Sequence, residues 1–276
     1  MKIIVRLFLS LAVTIGCFAE ADKDVSFLVV GKTPLYAQAP DGTLSHVRHY
    51  LFGEIFLKSG GGVKSGTLSM PDGSTTMQLE FMDGGHVWKV KRQDFESEAA
   101  LEAVYKDGDY TFEFETVSGK KYRETVSLRS AEANRQFTNP VHVYFYQQGK
   151  LAKQDALDPN HDVIVRWSPF SRGKQDSKGV ADDLIFAISS DCNGNSFARS
   201  QLPFDPIPAL TYADNSFRIP ADRLKAGSWY NIIIEHAELV DTGVGEGGIY
   251  KLATYPTVTS AKFTTTGVPS SACAAQ

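Results

Sequence analysis

The chain has 276 residues, of which 42% are hydrophobic, 11% aromatic and 22% charged, and its net charge at pH 7 is −4. That length is sufficient for two domains with proper cores. The acidic balance sets nucleic acid aside as a partner, because gripping phosphates needs a basic face, and the only dense cation groups are Lys89-Val-Lys91-Arg92 and Lys120-Lys121. These are read as solvated strand ends.

Residues 1–19 combine Lys2 and Arg6 with an apolar run from Leu7 to Phe18 and the small residue Ala19 ahead of Glu20. This is the pattern of a secretory signal peptide. A competing reading makes Gly16-Cys17 a lipoprotein processing site, with Cys17 acylated; against it, Thr14 stands where such sites carry a branched or leucine side chain. The run falls short of the ~20 residues a bilayer span needs, and no later segment comes closer, so no membrane span is expected. Cleavage after Ala19 leaves 26 Lys and Arg against 32 Asp and Glu, a net charge of −6. It also leaves two cysteines, Cys192 and Cys273. In an oxidising compartment such a pair is a candidate disulfide, worth ~4 kcal/mol by chain entropy; two unpaired thiols are the alternative.

The first domain is expected over residues 20–138. Strands are read at 25–30, 47–57, 67–70, 76–81, 87–90, 110–116 and 122–128, with turns at Lys58-Ser-Gly-Gly-Gly-Val63 and Met70-Pro-Asp-Gly-Ser74. Alternation sets Tyr110, Phe112 and Phe114 on one face and Thr111, Glu113 and Glu115 on the other, as a sheet with one buried face requires. One short helix interrupts the pattern. Ser97 is its N-cap, Glu98 favours the first turn, and Asp107-Gly108 stops it. Its buried stripe is expected to be Leu101, Val104 and Tyr105, with its carboxylates in water. The polar run from Ser130 to Phe137, closed by Pro140, marks a boundary at 130–140.

Beyond it lie short strands separated by Pro, Gly, Asn and Asp. In His161-Asp-Val-Ile-Val-Arg-Trp167, alternation points Val163, Val165 and Trp167 inward and Ile164 and Arg166 outward. Further strands are read at 184–188, 217–219, 231–235 and 258–266. Trp167 on the second strand, and Leu224 six residues before the strand residue Tyr230, resemble the fibronectin type III superfamily, over residues 139–267. That resemblance implies a β-sandwich whose corner buries the Tyr230 ring and ties its hydroxyl to upstream backbone. The usual corner proline is Ala226 here, and the glycine-rich stretch 241–248 reads as a long, mobile loop. The implied topology sets Cys192 and Cys273 at one pole, within reach of each other through the tail 268–276. The expected fold class is therefore all-β, with two tandem β-sandwich domains, the first bearing one short helix and the second fibronectin type III-like.

Candidate chemistry is sparse. Asp191-Cys-Asn193-Gly-Asn195 alternates oxygen ligands as calcium loops do, but Leu202 occupies the twelfth position, and an Asn-Gly hairpin turn explains the same residues. His46 and His49, with His86 in the same domain, are candidates for a transition-metal site, with surface or interface histidines as the alternative. Three apart on a strand, the pair point to opposite faces and cannot chelate unless a bulge intervenes. There is no Gly-x-Ser-x-Gly elbow and no phosphate loop, and surface acids such as Asp182-Asp183, Glu113 and Glu115 do not define a hydrolytic pair. No cofactor is expected.

Tyr144 and Tyr146, in Val141-His-Val-Tyr-Phe-Tyr146, share one face with His142. Exposed, such rings stack on sugars or on protein; at a domain junction they pack between domains instead. The expected function is a secreted or periplasmic, non-catalytic binding or adhesion-type module for a protein or glycan surface. The alternatives are an extracellular polymer hydrolase with its site between the domains, and a structural envelope or matrix component.

Overall fold

A computed structural model describes residues 21–82, 86–129, 137–268 and Cys273. The expected leader, including Cys17, and residues 130–136 of the expected boundary lie outside the described residues. The elements run in chain order: β1 (Val25–Gln38), β2 (Leu44–Leu57), β3 (Val63–Ser69), β4 (Thr76–Met82), β5 (Val87–Val90), β6 (Asp94–Phe95), α1 (Glu98–Val104), β7 (Gly108–Thr116) and β8 (Lys121–Leu128). There follow β9 (Val143–Gln147), β10 (Lys150–Ala152), β11 (Val163–Trp167), β12 (Leu184–Asp191), β13 (Ser196–Arg199), β14 (Leu210–Thr211), β15 (Ser216–Ile219), β16 (Trp229–Val244) and β17 (Tyr250–Thr264). The architecture is all-β. One large sheet runs β13-β12-β16-β17-β1-β2-β5-β4-β3-β7-β8, and a small one runs β10-β9-β11-β15.

The antiparallel hairpin β16–β17 is the spine. At its Trp229 end, Ile232, Ile234, Ala261 and Phe263 face the small sheet and build a core with Val143, Phe145, Val163, Val165 and Trp167. At its other end, Ala253 and Tyr255, with Ile249 of the turn, enter a core made by β1–β5, β7, β8 and α1. A third cluster covers the reverse face of the large sheet, where Phe27, Val29, Leu239 and Leu252 meet Leu202 and Phe204 of the loop after β13. The stretch 241–248, expected to be a mobile loop, is strand as far as Val244 and then turns over a 3-10 segment at Glu246–Gly248. Its turn is held where Glu246 N–H donates to the Glu124 carboxylate at 2.6 Å and Gly247 C=O accepts from Asp22 N–H at 2.6 Å. Gly245 is required there, because a Cβ would stand 2.4 Å from the Glu124 carboxylate. Glycine signalled close approach, not mobility.

Strand β1 also exceeds its expected end at residue 30. Its apolar run is buried on both faces, with Leu28 and Val30 in one core and Phe27 and Val29 in another. Gly31 and Pro34 follow that point, and the pairing does lapse there. The parallel ladder to β17 lapses between Gly31↔Thr254 and Leu35↔Val258, a stretch that holds Pro34 and Pro256, neither of which has an N–H to pair. The strands pass through this waist while their hydrogen bonding pauses.

Helix α1 is shorter and differently oriented than expected. Ser97 Oγ accepts from Ala100 N–H as its cap, and Leu101 and Tyr105 are buried, but Val104 is exposed. The carboxylates expected in water have a task. Lys32, wholly buried on the core side of β1, places Nζ 2.7 Å from Glu102 and 2.6 Å from Asp107. A buried ammonium without acids is too costly to keep, so charge fixes the helix over the sheet end.

In the second core, the Tyr230 ring is buried against Phe263 and its hydroxyl accepts from Lys225 N–H at 2.7 Å, one residue after Leu224. Cys192, in the turn after β12, is disulfide-bonded to Cys273, with Cα atoms 5.5 Å apart, and Trp229 N–H donates to Cys273 C=O.

Candidate functional site

The outer face of the small sheet gathers the solvent-facing rings. On β9, Val143 and Phe145 point into the core, which by strand alternation turns Tyr144 and Tyr146 outward. Tyr144 is 42% exposed and Tyr146 half-buried. Pairing then decides their company. Arg166 lies opposite Tyr144, Ile164 and Leu151 flank Tyr146, and Arg218 lies opposite Ile164. The Arg166 guanidinium sits 5.1 Å from the Tyr146 ring centroid, a cation–π distance, and has no carboxylate within ion-pair reach among the described residues. Leu151, 66% exposed, extends the apolar part.

This face is rigidly mounted. Gln38, at the buried end of β1, mimics a strand partner: its Nε2 donates to Val143 C=O at 2.8 Å and its Oε1 accepts from Val143 N–H at 2.7 Å. Val141 N–H donates to Thr259 Oγ1, and His142 N–H donates to Ser168 Oγ. Depressions flank the face on both sides. One, of about 370 Å³, lies between the β1–β2 turn at Pro40-Asp41-Gly42 and Tyr144 with Leu151. The other, of about 450 Å³, is lined by Asp162, Arg218 and Arg223. There the Arg218 hydrogen bond, 2.7 Å long, is the chief cause holding the Asp162 carboxyl below its ordinary range.

The remaining candidates fall elsewhere. Asp191 closes its own turn: Oδ1 accepts from Asn193 and Asn195 N–H at 2.9 Å, and Gly194 takes φ +83°, so the motif is an Asn-Gly hairpin with its carboxylate already occupied. No group of three or more His, Cys, Asp or Glu placed to hold a metal occurs among the described residues. Glu113 and Glu115 pair with Arg123 and Lys64 on the exposed face of β7. Arg92 and Lys121 are likewise tied to Asp94 and Glu115. Asp183, expected with Asp182 to be a surface acid, is buried, and burial pushes its pKa up to about 6 although it accepts from Leu239 and Lys174 N–H; Asp182 beside it is part-buried. Glu235 on β16 is raised to about 8 by burial and by the field of Glu54. Burial lowers His236 to about 4.

No family model matches the chain, and no curated protein matches it. Solved structures give only distant likenesses. A biofilm-associated protein BSP domain aligns at 14% identity over 87% of this chain, with a TM-score of 0.21. A 1.5-MDa bacterial ice-binding adhesin aligns at 12% identity over 89%, with a TM-score of 0.23. A yeast delta-COP-I mu-homology domain aligns at 11% identity over 87% of this chain and 97% of its own, with a TM-score of 0.20. The chain spans 30% of the length of the first and 66% of the second. Superpositions this distant establish neither a shared topology nor a shared role.

Sequence reading supplied Tyr144 and Tyr146 and set Ile164 and Arg166 outward. It missed that the four meet, along with Leu151, Arg218 and the mount Gln38. The signal for the outward set was period-two alternation; which strand lies beside which is a long-range pairing that alternation does not carry.

Proposed function

We propose that the chain is an exported, non-catalytic binding module that docks a protein or glycan surface on the outer face of the small sheet. The observation that carries this reading is the solvent-facing pair Tyr144 and Tyr146 with the Arg166 guanidinium over the second ring. Two phenol faces supply apolar stacking area at low entropic cost, and Arg166, which has no carboxylate within ion-pair reach among the described residues, can bind an anionic group of the ligand. The disulfide supports an oxidising, extracytoplasmic compartment, and no helix among the described residues is long and apolar enough to cross a membrane. The groups with strongly displaced pKa values are dispersed, with His49 and Tyr50 on β2, Tyr110 on β7, Tyr122 on β8, Asp183 just before β12, and Glu235 and His236 on β16, and are not gathered on the tyrosine face.

The same reading treats residues 20–138 and 139–267 as two domain-like halves that share one hairpin. The second is taken as fibronectin type III-like, on three supports: the Tyr230 corner, the buried Trp167, and a small sheet β10-β9-β11-β15 facing β13-β12-β16-β17. The experiment is retention of the mature protein on an array of neutral glycans, acidic glycans and envelope proteins. The wild type is retained by an acidic member, and Tyr144→Ala with Tyr146→Ala loses retention while its circular dichroism melt is unchanged. Undiminished retention of that double variant rejects the face.

A further inference from the structure

Strand β2 carries a β-bulge whose consequence lies far from the tyrosine face. Leu35 of β1 pairs with Arg48 and Tyr36 pairs with His46, so Val47 is an extra residue without a partner on β1. One inserted residue reverses the side to which everything beyond it points. His46 and His49, which a regular strand would set on opposite faces, thereby share one. Their rings lie 4.4 Å apart, and His46 Nε2 stands 2.9 Å from His49 Nδ1. That contact is a hydrogen bond in which the two rings share one proton, and a cation that displaces the proton would take both nitrogens as ligands.

We propose that His46 and His49 form a two-imidazole chelate for a divalent transition cation of the Cu(II) or Ni(II) type, completed by water. Metal–nitrogen bonds of ~2.0–2.1 Å to nitrogens 2.9 Å apart meet at roughly a right angle, which suits the cis positions of a tetragonal site rather than a tetrahedral one. The two residues differ usefully. His49 is buried, flanked by Phe137 at 6.0 Å and paired in register with Phe95, so its ring is fixed; His46 is exposed and meets only the edge of Tyr36 at 5.5 Å, so it can adjust. The nearest cation on the strand, Arg48, is held 2.6 Å from Asp94 and does not compete for the site. Hard cations such as calcium and magnesium have no oxygen cage here and are not taken.

The test is titration of the mature protein with Cu(II) at pH 7, read by calorimetry and by electron paramagnetic resonance. One equivalent bound with a two-nitrogen hyperfine pattern is expected, and His46→Gln weakens binding at least tenfold and removes that pattern. His46 is the primary variant because it is exposed and its loss leaves the core intact; His49→Gln is read only alongside its melting curve. His86→Gln and His161→Gln keep the wild-type signal. An unchanged stoichiometry and nitrogen pattern in His46→Gln, or no binding by the wild type, overturns the site.

Discussion

The two cores of this protein close by different physics although one hairpin serves both. Around Trp167 and Phe263 the layers are apolar, with Tyr230 tying a corner and a disulfide stapling the pole. Around Tyr255 and Tyr110 the apolar layer is ringed by buried polar anchors. Lys32 grips Glu102 and Asp107, Asp22 accepts from Tyr122 O–H at 2.6 Å and from Val25 N–H at 2.7 Å, and Glu124 holds Lys251 at 3.0 Å. Apolar contact is tolerant of small shifts, whereas a buried charge with half its partners missing is not. The polar-ringed core is therefore the one that losing a charge partner should perturb, and the stapled core the one that reduction should.

The largest expected effect tests whether the hairpin couples them. Tyr255→Ala removes a fully buried ring that the C-terminal segment lends to the first core, and should cost about 3–5 kcal/mol. Because β16 and β17 run through both cores, chemical denaturation followed by tryptophan fluorescence and by far-ultraviolet circular dichroism should give coincident transitions in the wild type. Separate transitions would mean that the halves unfold independently. Next, Cys192→Ser with Cys273→Ser should cost about 4 kcal/mol, since the bridge closes a separation of 81 residues, and reductant should have no effect on the variant. Glu102→Gln with Asp107→Asn strands the Lys32 ammonium; with both acids part-exposed, a loss of about 2–3 kcal/mol is expected in a urea melt, larger than for the exposed Arg129–Asp109 pair.

A smaller effect sharpens the pH contrast. The Glu235 pKa is raised in the fold, so its contribution is full below the ordinary carboxylate range and is lost as pH rises towards about 8. The His49 and His236 values are lowered to about 4, so their contribution is full above the ordinary imidazole range and is lost as pH falls towards 4. Stability should therefore peak near pH 6. Glu235→Gln should remove the decline that runs from the ordinary carboxylate range up to about pH 8, by on the order of 1 kcal/mol at its alkaline end, and so move the stability maximum to higher pH, as thermal melts across pH 4–8 would register.

Much of the all-β character was legible because alternation is local: β7, β8 and β11 read directly from period-two patterns, and the Ser97 cap from its own three residues. What was not legible depends on partners distant in sequence. Lys32 gives no sign of Glu102, and Glu124 gives no sign of the turn at Gly245 that it braces. Pro34 and Gly31 carry true local signals of interruption, yet the strand continues because β2 keeps pairing through them. The histidine pair turns on one extra residue, Val47, which no periodicity of β2 alone displays. On the binding face the outward residues were readable one strand at a time, and their convergence was not.

The most direct measurement compares two aromatic surfaces under one assay. Retention on the glycan and envelope-protein array is measured for Tyr144→Ala with Tyr146→Ala and for Phe81→Ala with Trp88→Ala, the latter removing the exposed Phe81 ring of β4 and the partly buried Trp88 ring of β5, 5.8 Å apart. Loss of retention in the tyrosine variant alone, with both proteins folded, is the predicted result. Loss only in the Phe81 and Trp88 variant, or in neither, contradicts the assignment of the small sheet as the docking face.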